Sequence, residues 1–551
     1  MGDPLLELRN AVDEATATLR DGAGEGDAPT AARLERPPKP DLGDYSTNAA
    51  MLLAPIRGEP PREVAERLRE ELGGRLGPSA ERIEVAGPGF LNLFLADRWH
   101  REGVGAILAA GDRFGAAVAA HAERTMVEFV SANPTGPVTA ASGRHAAYGD
   151  SVARILACAG NEVEREYYLN DMGGQVRRFA ESIAARITGS DPPEDGYEGT
   201  YVGELAAELT SEGIDPSDIE ALEREGIARM RAAIAATLER FGVGFDTWSS
   251  ERAVYESGAM EEAIDELRGR GHAYDSEGAV WLRTTDFGDD KDRVLIRSDG
   301  TPTYFGPDVA YHRAKFERGF ERAIDVLGAD HHGYVARMRA ALAALGIDVD
   351  HYEALIMQLV HVVEGGERAQ MSKRRGEFVS LDELIDDIGT DAARFLMLQR
   401  SHDTTVDLDL ELARRQSQDN PVYYVQYAHA RIASILRKAG EGAEASALSA
   451  IDSALDAPAE ASERALVKRL LDMPDEVRAA AELRAPHRLC AYATATAADF
   501  HAFYRDCQVV GAESEGAAPG TEAGRIALCV ATKRVIAWTL ELLGVSAPER
   551  M

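Results

Sequence analysis

The sequence predicts a multidomain α/β protein. A doubly wound parallel sheet is interrupted by a helical block, with a small α/β unit before it and an all-helical segment after it. Three observations predict this. Strand-like runs alternate with amphipathic helices from Arg124 to about residue 408. A mostly helical stretch, broken by an acidic, turn-rich segment from Ser190 to Gly199, reads as an insertion over about 175–275. Beyond residue 410 only helical periodicity remains. A chain of 551 residues is too long for one core, and the expected division is 1–110, 120–408 and 409–551.

The first unit opens with a rigid segment, Pro37-Pro38-Lys39-Pro40-Asp41-Leu42-Gly43-Asp44-Tyr45. A helix is expected over 62–74. Two short strands are expected from Ile83 to Phe94, broken at Gly87-Pro88-Gly89, with a helical linker over 98–110. In the second unit Thr125–Val130 reads as a strand, followed by the turn-rich loop Asn133-Pro134-Thr135-Gly136-Pro137. The next helix places Tyr148, Val152, Ile155, Leu156 and Ala159 on one face and has Gly160 as its C-cap. Further strands are expected at Glu164–Leu169, Ala279–Arg283, Ile324–Leu327 and Leu355–Val363, and Ser380 with Glu383 forms a capping-box pattern. Residues 440–462 are low in complexity and read as a loop with part of a helix.

Composition narrows the function classes. No apolar run reaches the roughly 18 to 20 residues of a membrane span, and no secretory signal opens the chain. Cys158, Cys490, Cys507 and Cys529 form no C-x-x-C pair, so reduced thiols in a cytoplasmic protein are expected and no structural metal. The net charge of −33 is awkward for a nucleic-acid binder. It is unevenly spread: from Glu411 to Met551 there are 16 basic and 19 acidic residues, so RNA contact is favoured there.

Four segments carry chemistry. In the first, Glu128 ends a strand before the Asn133–Pro137 loop and a helix. Free N–H groups at that helix start suit ATP phosphates, and Glu128 suits a cationic substrate. The second is the basic loop Gln370-Met371-Ser372-Lys373-Arg374-Arg375-Gly376, which can bring positive charge to an α-phosphate. In the third, Tyr304 and Asp308 can frame a guanidinium, with His331 and His332 after the following strand. The fourth carries Tyr423, Tyr424 and Tyr427 with Arg431, which can stack on bases and bind phosphate. Each pattern alone also fits ordinary structure: a βα turn, a surface loop, a strand-end turn and a packed aromatic face.

In this order, VEFVSANPTGP, SDGTPTYFGPDVAYH, VLGADHHGY, MSKRRGEFVSLDELIDDIGTDAARF and DNPVYYVQYAHARI resemble the arginyl-tRNA synthetases along nearly the whole chain. PDLGDYSTNAAM and VAGPGFLN resemble that family's N-terminal appended domain, and GVSAPERM its C-terminus. The resemblance implies a class I Rossmann catalytic domain with a helical insertion and an all-α anticodon-binding domain. The implied reaction joins arginine to tRNA(Arg) through arginyl-adenylate, with ATP and Mg2+, on a monomer, with tRNA needed for the first step. It implies arginine contacts at Glu128, Asn133, Tyr304, Asp308 and His331, and ATP contacts at Pro134, Thr139, Ser142, Gly143 and Arg144. Met371, Ser372, Lys373 and Arg374 match the mobile ATP loop, whose first lysine is replaced here by Gln370. Tyr423, Tyr427 and Arg431 are the implied tRNA contacts.

One departure is conspicuous. The family's His-x-Gly-His signature is Thr139-Ala140-Ala141-Ser142 here, although Gly143, Arg144, Gly149 and Asp150 still match. Two hydroxyls replace two imidazoles, and His145 lies nearly one turn further on. This departure leaves open an inactive, RNA-binding paralogue. A cysteinyl-type enzyme would need a cysteine-rich zinc site that this sequence lacks. A nucleotidyltransferase with no RNA partner would not need the helical C-terminal segment of lowered acidity.

Overall fold

The computed structural model describes residues 4–21, 33–368 and 379–551. The N-terminal unit is a four-stranded antiparallel sheet of β1 (Leu34–Glu35), β2 (Tyr45–Thr47), β3 (Ala80–Ala86) and β4 (Phe90–Leu95), in the order β1-β2-β4-β3. The helices Pro4–Asp21, Ala49–Arg57 and Pro61–Leu76 pack with it, and Asp97–Ala110 leads out. The expected strand pair around Gly87–Gly89 is present, as is the helical linker.

The central sheet has five parallel strands. They are β5 (Arg124–Glu128), β6 (Glu162–Leu169), β7 (Thr247–Ser250), β11 (Arg322–Gly328) and β12 (Tyr352–Met357), in the order β12-β11-β5-β6-β7. From β5 the chain winds one way through β6 and β7, then returns to the other side through β11 and β12. The switch therefore falls between β5 and β11, where open parallel sheets form a crevice at the strands' carboxyl ends. The helix Ala140–Ala159 covers this switch. Gly149 lets it close on the sheet, because a Cβ there would meet the Phe129 ring at 2.2 to 2.6 Å. Gly160 caps the helix at φ 116°, as its position predicts.

Between β6 and β7 lie the helices Gly174–Thr188, Thr200–Ser211 and Ile219–Arg240, the helical block read from sequence. Two strand readings need correction. Ala279–Leu282 belongs to a separate antiparallel sheet, as the middle of β8 (Ala273–Ser276), β9 (Ala279–Leu282) and β10 (Arg293–Ile296). That sheet packs with the helices Ala259–Gly269 and Phe305–Glu317 around a second core containing Met260, Leu267, Leu282, Leu295 and Val309. Leu355–Val363 is two strands, not one. β12 ends at Met357, and β13 (Val360–Glu364) joins β14 (Glu367–Arg368) and β15 (Val406–Asp409). A run whose only polar residues are Gln358 and His361 does not by itself reveal the break at Gln358-Leu359.

The capping box at Ser380 and Glu383 is formed. From Pro421 onward the chain is helical, ending in the long helix Thr521–Leu542. Residues 440–462 hold more helix than expected, since Ala443–Ala454 is helical and its alanines pack on the final helix. All four cysteines are buried free thiols.

Candidate active site

A cavity of about 740 Å³ opens at the switch point. Its wall is built from the end of β5 (Glu128, Val130, Ser131), the end of β11 (Asp325 to Gly328) and the first turns of Phe305–Glu317 (Tyr304, Asp308). Ser142 and His145 reach it from Ala140–Ala159, and Glu251 from the short helix after β7. The turn after β5 is strained, with Val130 at φ 68° and Ser131 at φ 38°. This conformation lets the Ser131 hydroxyl donate to Glu128 Oε1 at 2.9 Å while accepting from the Tyr168 N–H at 3.1 Å.

Five carboxylates line this cavity; Asp330 lies just after β11, near enough to His145 to act on its charge, and the other four fall into two groups. Glu128 and Asp325 share Lys315, whose Nζ donates to Glu128 Oε2 at 2.6 Å and to Asp325 Oδ1 at 2.7 Å. His312 Nε2 lies 2.7 Å from Asp325 Oδ2, and its Nδ1 donates to the Asp308 carbonyl at 2.8 Å. Burial would raise the Asp325 pKa, but Lys315 and His312 outweigh it and hold the carboxyl below its usual range. Burial would likewise lower the Lys315 pKa, and its two carboxylates outweigh that. Asp308 and Glu251 are different. Burial, with the charge of Glu128, pushes Asp308 up to about 6, against the pull of His312, a Tyr334 hydrogen bond and Lys315. Burial, then Asp308 and Asp171, push Glu251 up to about 7. Both carboxylates are held above their usual range, chiefly by burial, and the charge of Asp308 adds to the rise at Glu251.

Of the arginine contacts implied by sequence, the cavity collects Glu128, Tyr304, Asp308 and His331. Tyr304 is 79% exposed at its mouth. Asn133 is not in the wall: its side-chain amide donates to Gln175 Oε1 at 2.7 Å, at the start of the helical insertion. Of the ATP positions, only Ser142 lines the cavity. Thr139 is the N-cap, its hydroxyl accepting from the Ser142 N–H at 3.2 Å and lying 3.1 Å from the Ser142 hydroxyl. Pro134 is buried in the preceding loop. Gly143 permits a close packing contact, since a Cβ there would meet Leu381 Cδ1 at 2.8 Å.

Arg144 requires a correction. Its guanidinium is fully buried and donates to the carbonyls of Gln358 at 2.9 Å and Ser401 at 2.7 Å. It braces the β12–β13 junction and is absent from the cavity wall, so it is not available to phosphate. His145 does line the cavity, and burial with Arg144 lowers its pKa to about 4. Lys373, Ser372, Met371 and Arg374 lie outside the described residues.

Tyr423, Tyr427 and Arg431 share an exposed face of the helix Pro421–Ala439. The two tyrosine rings lie parallel at 6.1 Å, and the Arg431 guanidinium sits 4.5 Å from the Tyr427 ring and 4.8 Å from that of Tyr504. Tyr504 and His501, from the helix His487–Asp506, complete this aromatic surface and were not singled out in the sequence.

Glu251 and Lys315 were also missed. Lys315 had a signal: Asp308, Tyr311, His312 and Lys315 form a polar stripe at helical spacing in a helix whose other buried residues, such as Phe305, Val309 and Ala310, are apolar. Glu251 had none, because only the fold brings it to Asp308.

Three family models match the chain. Residues 6–95 match the arginyl tRNA synthetase N terminal domain. Residues 223–433 match the catalytic domain of class I (R) tRNA synthetases, and residues 425–551 the DALR anticodon binding domain. A curated arginine–tRNA ligase from Frankia alni is 47% identical over 551 residues, spanning 98% of this chain and 99% of the relative. The solved arginyl-tRNA synthetase of Thermus thermophilus superposes with a TM-score of 0.75 at 28% identity, covering 98% of this chain and 100% of that one. A methionyl-tRNA synthetase of Mycobacterium tuberculosis shares the fold at a TM-score of 0.53 and 12% identity, over 77% of this chain and 92% of that one.

Proposed function

This chain belongs to the arginyl-tRNA synthetase family, and on that premise we propose how its cavity selects and activates arginine. Its activity is arginine–tRNA ligation: ATP and arginine give arginyl-adenylate and pyrophosphate, and the arginyl group passes to the 3′ end of tRNA(Arg). The catalytic fold supporting this is the class I parallel sheet, flanked by the N-terminal domain and the helical anticodon-binding domain. The inactive RNA-binding alternative finds no support in these relatives.

In this reading the substrate guanidinium sits between Asp308 and Glu251. The observation that carries it is the burial of both carboxylates in one cavity wall, which holds each above its usual range, with Asp308 adding to the rise at Glu251; a planar cation with paired N–H donors relieves this. Glu128, steadied by Ser131 and Lys315, takes the α-ammonium. The arginine carboxylate is then left facing the N-terminus of Ala140–Ala159, where ATP phosphates meet free N–H groups and the Ser142 hydroxyl. A carboxylate oxygen attacks the α-phosphorus, and the bond to pyrophosphate breaks. The tRNA's terminal ribose hydroxyl next attacks the arginyl carbonyl and releases AMP. Mg2+ arrives with ATP. Among the described residues no cluster of three or more His, Cys, Asp or Glu side chains is arranged to hold a metal. Lys373 and Arg374 supply positive charge to the phosphates.

Tyr423, Tyr427 and Arg431, with Tyr504, form the anticodon-side surface. The proposed division remains 1–110, 120–408 and 409–551, and the enzyme works as a monomer in the cytoplasm. No helix among the described residues is long and apolar enough to cross a membrane.

The experiment that tests this reading is pyrophosphate exchange with tRNA present and each amino acid in turn. Arginine alone supports exchange, and Glu251→Gln raises the KM for arginine without changing that for ATP. Exchange with another amino acid, or an unchanged arginine KM in Glu251→Gln, contradicts it.

A further inference from the structure

The amine of Lys315 is fully buried, one layer behind the cavity surface. It bonds two of the five carboxylates that line the cavity, Glu128 and Asp325. Lys315 offsets one of the two negative charges at this end of the cavity, while burial leaves Asp308 and Glu251 at the other end partly protonated near neutral pH. The distinction matters for what each end can accept. A guanidinium carries charge alone, whereas the ammonium of an amino acid has a carboxylate one carbon away. An unmodified pair of anions at Glu128 and Asp325 would hold the ammonium but repel that neighbouring carboxylate.

We propose that Lys315 is a positioning residue that makes the cavity select an amino acid over the corresponding amine. It fixes Glu128 against β5 and removes enough negative charge for a carboxylate to lie beside the bound ammonium. His312 acts with it, since it reaches Asp325 from the same helix and ties the same turn to the Asp308 carbonyl. Asp308, Glu128 and their supports are thus coupled through a single helix, Phe305–Glu317. The inference rests on the reading that the cavity binds arginine.

The test compares arginine with agmatine, which keeps the guanidinium and the amine but lacks the carboxylate. In the full chain, with tRNA present, Lys315→Met is expected to raise the KM for arginine roughly tenfold or more, the scale of breaking a buried charge pair. The KM for ATP stays constant. Agmatine, a competitive inhibitor, is expected to bind about tenfold more tightly to Lys315→Met than to the natural enzyme, because both ends of the cavity are then anionic. Lys315→Ala provides a second variant: n-propylammonium, which fits the vacated space, should restore the arginine KM and again weaken agmatine, while sodium at equal concentration should not. Unchanged agmatine affinity in both variants overturns the proposal. So does a parallel loss of kcat, both KM values and thermal stability without rescue by the alkylammonium, which would make Lys315 a structural brace only. If the natural enzyme itself shows no arginine-dependent exchange, the reading of the cavity fails and the role given to Lys315 falls with it; normal exchange in the natural enzyme with unchanged agmatine affinity in the variants overturns the role of Lys315 alone.

Discussion

The two sides of the active-site cavity are built on opposite plans. The amino-acid side is dense with fixed charge: Glu128, Asp325, Asp308 and Glu251, with Lys315 and His312 behind them. The proposed phosphate side, at the start of Ala140–Ala159, carries less fixed charge, with Asp330 the carboxylate that acts on His145 there. It offers the Ser142 hydroxyl, an N-cap threonine and His145, whose lowered pKa leaves it uncharged at neutral pH, while the guanidinium of Arg144 is turned to backbone carbonyls. Selection of arginine is thus written into rigid elements, but charge stabilisation on ATP is not. In the proposed mechanism transition-state charge is met by Lys373 and Arg374, by the helix terminus and by Mg2+.

The largest expected effect breaks the charged side. Asp308→Ala leaves Glu251 facing a guanidinium alone, and losing one partner of a buried charge pair costs about 2–5 kcal/mol. The KM for arginine should rise by about 30-fold or more, with the KM for ATP nearly unchanged, in steady-state exchange assays. An unchanged arginine KM removes Asp308 from the pocket. The next effect tests the other side. Lys373→Ala should lower kcat by at least about 10²-fold, the scale for removing one preorganised transition-state donor. Full activity in that variant would show that the phosphate side is sufficient by itself.

Arg144→Met sharpens the contrast. Its two bonds to backbone carbonyls predict a loss of about 1–3 kcal/mol in stability and no change in the KM for ATP. Chemical denaturation and exchange kinetics separate these outcomes, and a raised ATP KM would return Arg144 to phosphate binding. The smallest effect is expected from rebuilding the family signature with Thr139→His, Ala141→Gly and Ser142→His. Charge-assisted bonds are about twice as strong as neutral ones, so kcat should rise by less than about tenfold. Loss of the Thr139 cap should cost about 1 kcal/mol in the same variant. Exchange that appears only in the rebuilt enzyme would mean that the natural chain is inactive.

The sequence made the scaffold legible because its signals are local. Gly160 ends a helix, Ser380 and Glu383 cap one, and strand–helix alternation gives a parallel sheet. Glu128, Asp308, Tyr304 and His331 were legible as cavity residues because they sit at strand ends or on the turns beside them. Arg144 was not, since position on a helix says little about where a long side chain finds its acceptors. Glu251 was not, because a six-residue helix beyond an inserted block has no pattern linking it to Asp308. The division between compensated and uncompensated carboxylates depends on which acids share Lys315, and only the packed structure decides that.

The central claim is that Asp308 and Glu251 await a guanidinium. Folding raises both pKa values, to about 6 and about 7. Between the ordinary carboxylate range and pH 7 the empty folded chain therefore holds more protons here than the unfolded chain. The contribution of this pair to stability falls as pH rises through that window. Bound guanidinium favours both ionised forms and must expel the protons. Calorimetry of arginine binding at pH 6.5, in buffers of different ionisation enthalpy and with tRNA present, measures this directly. The account predicts release of up to about one proton per arginine, largely lost in Glu251→Gln. Binding of arginine with no proton release in either protein would contradict it.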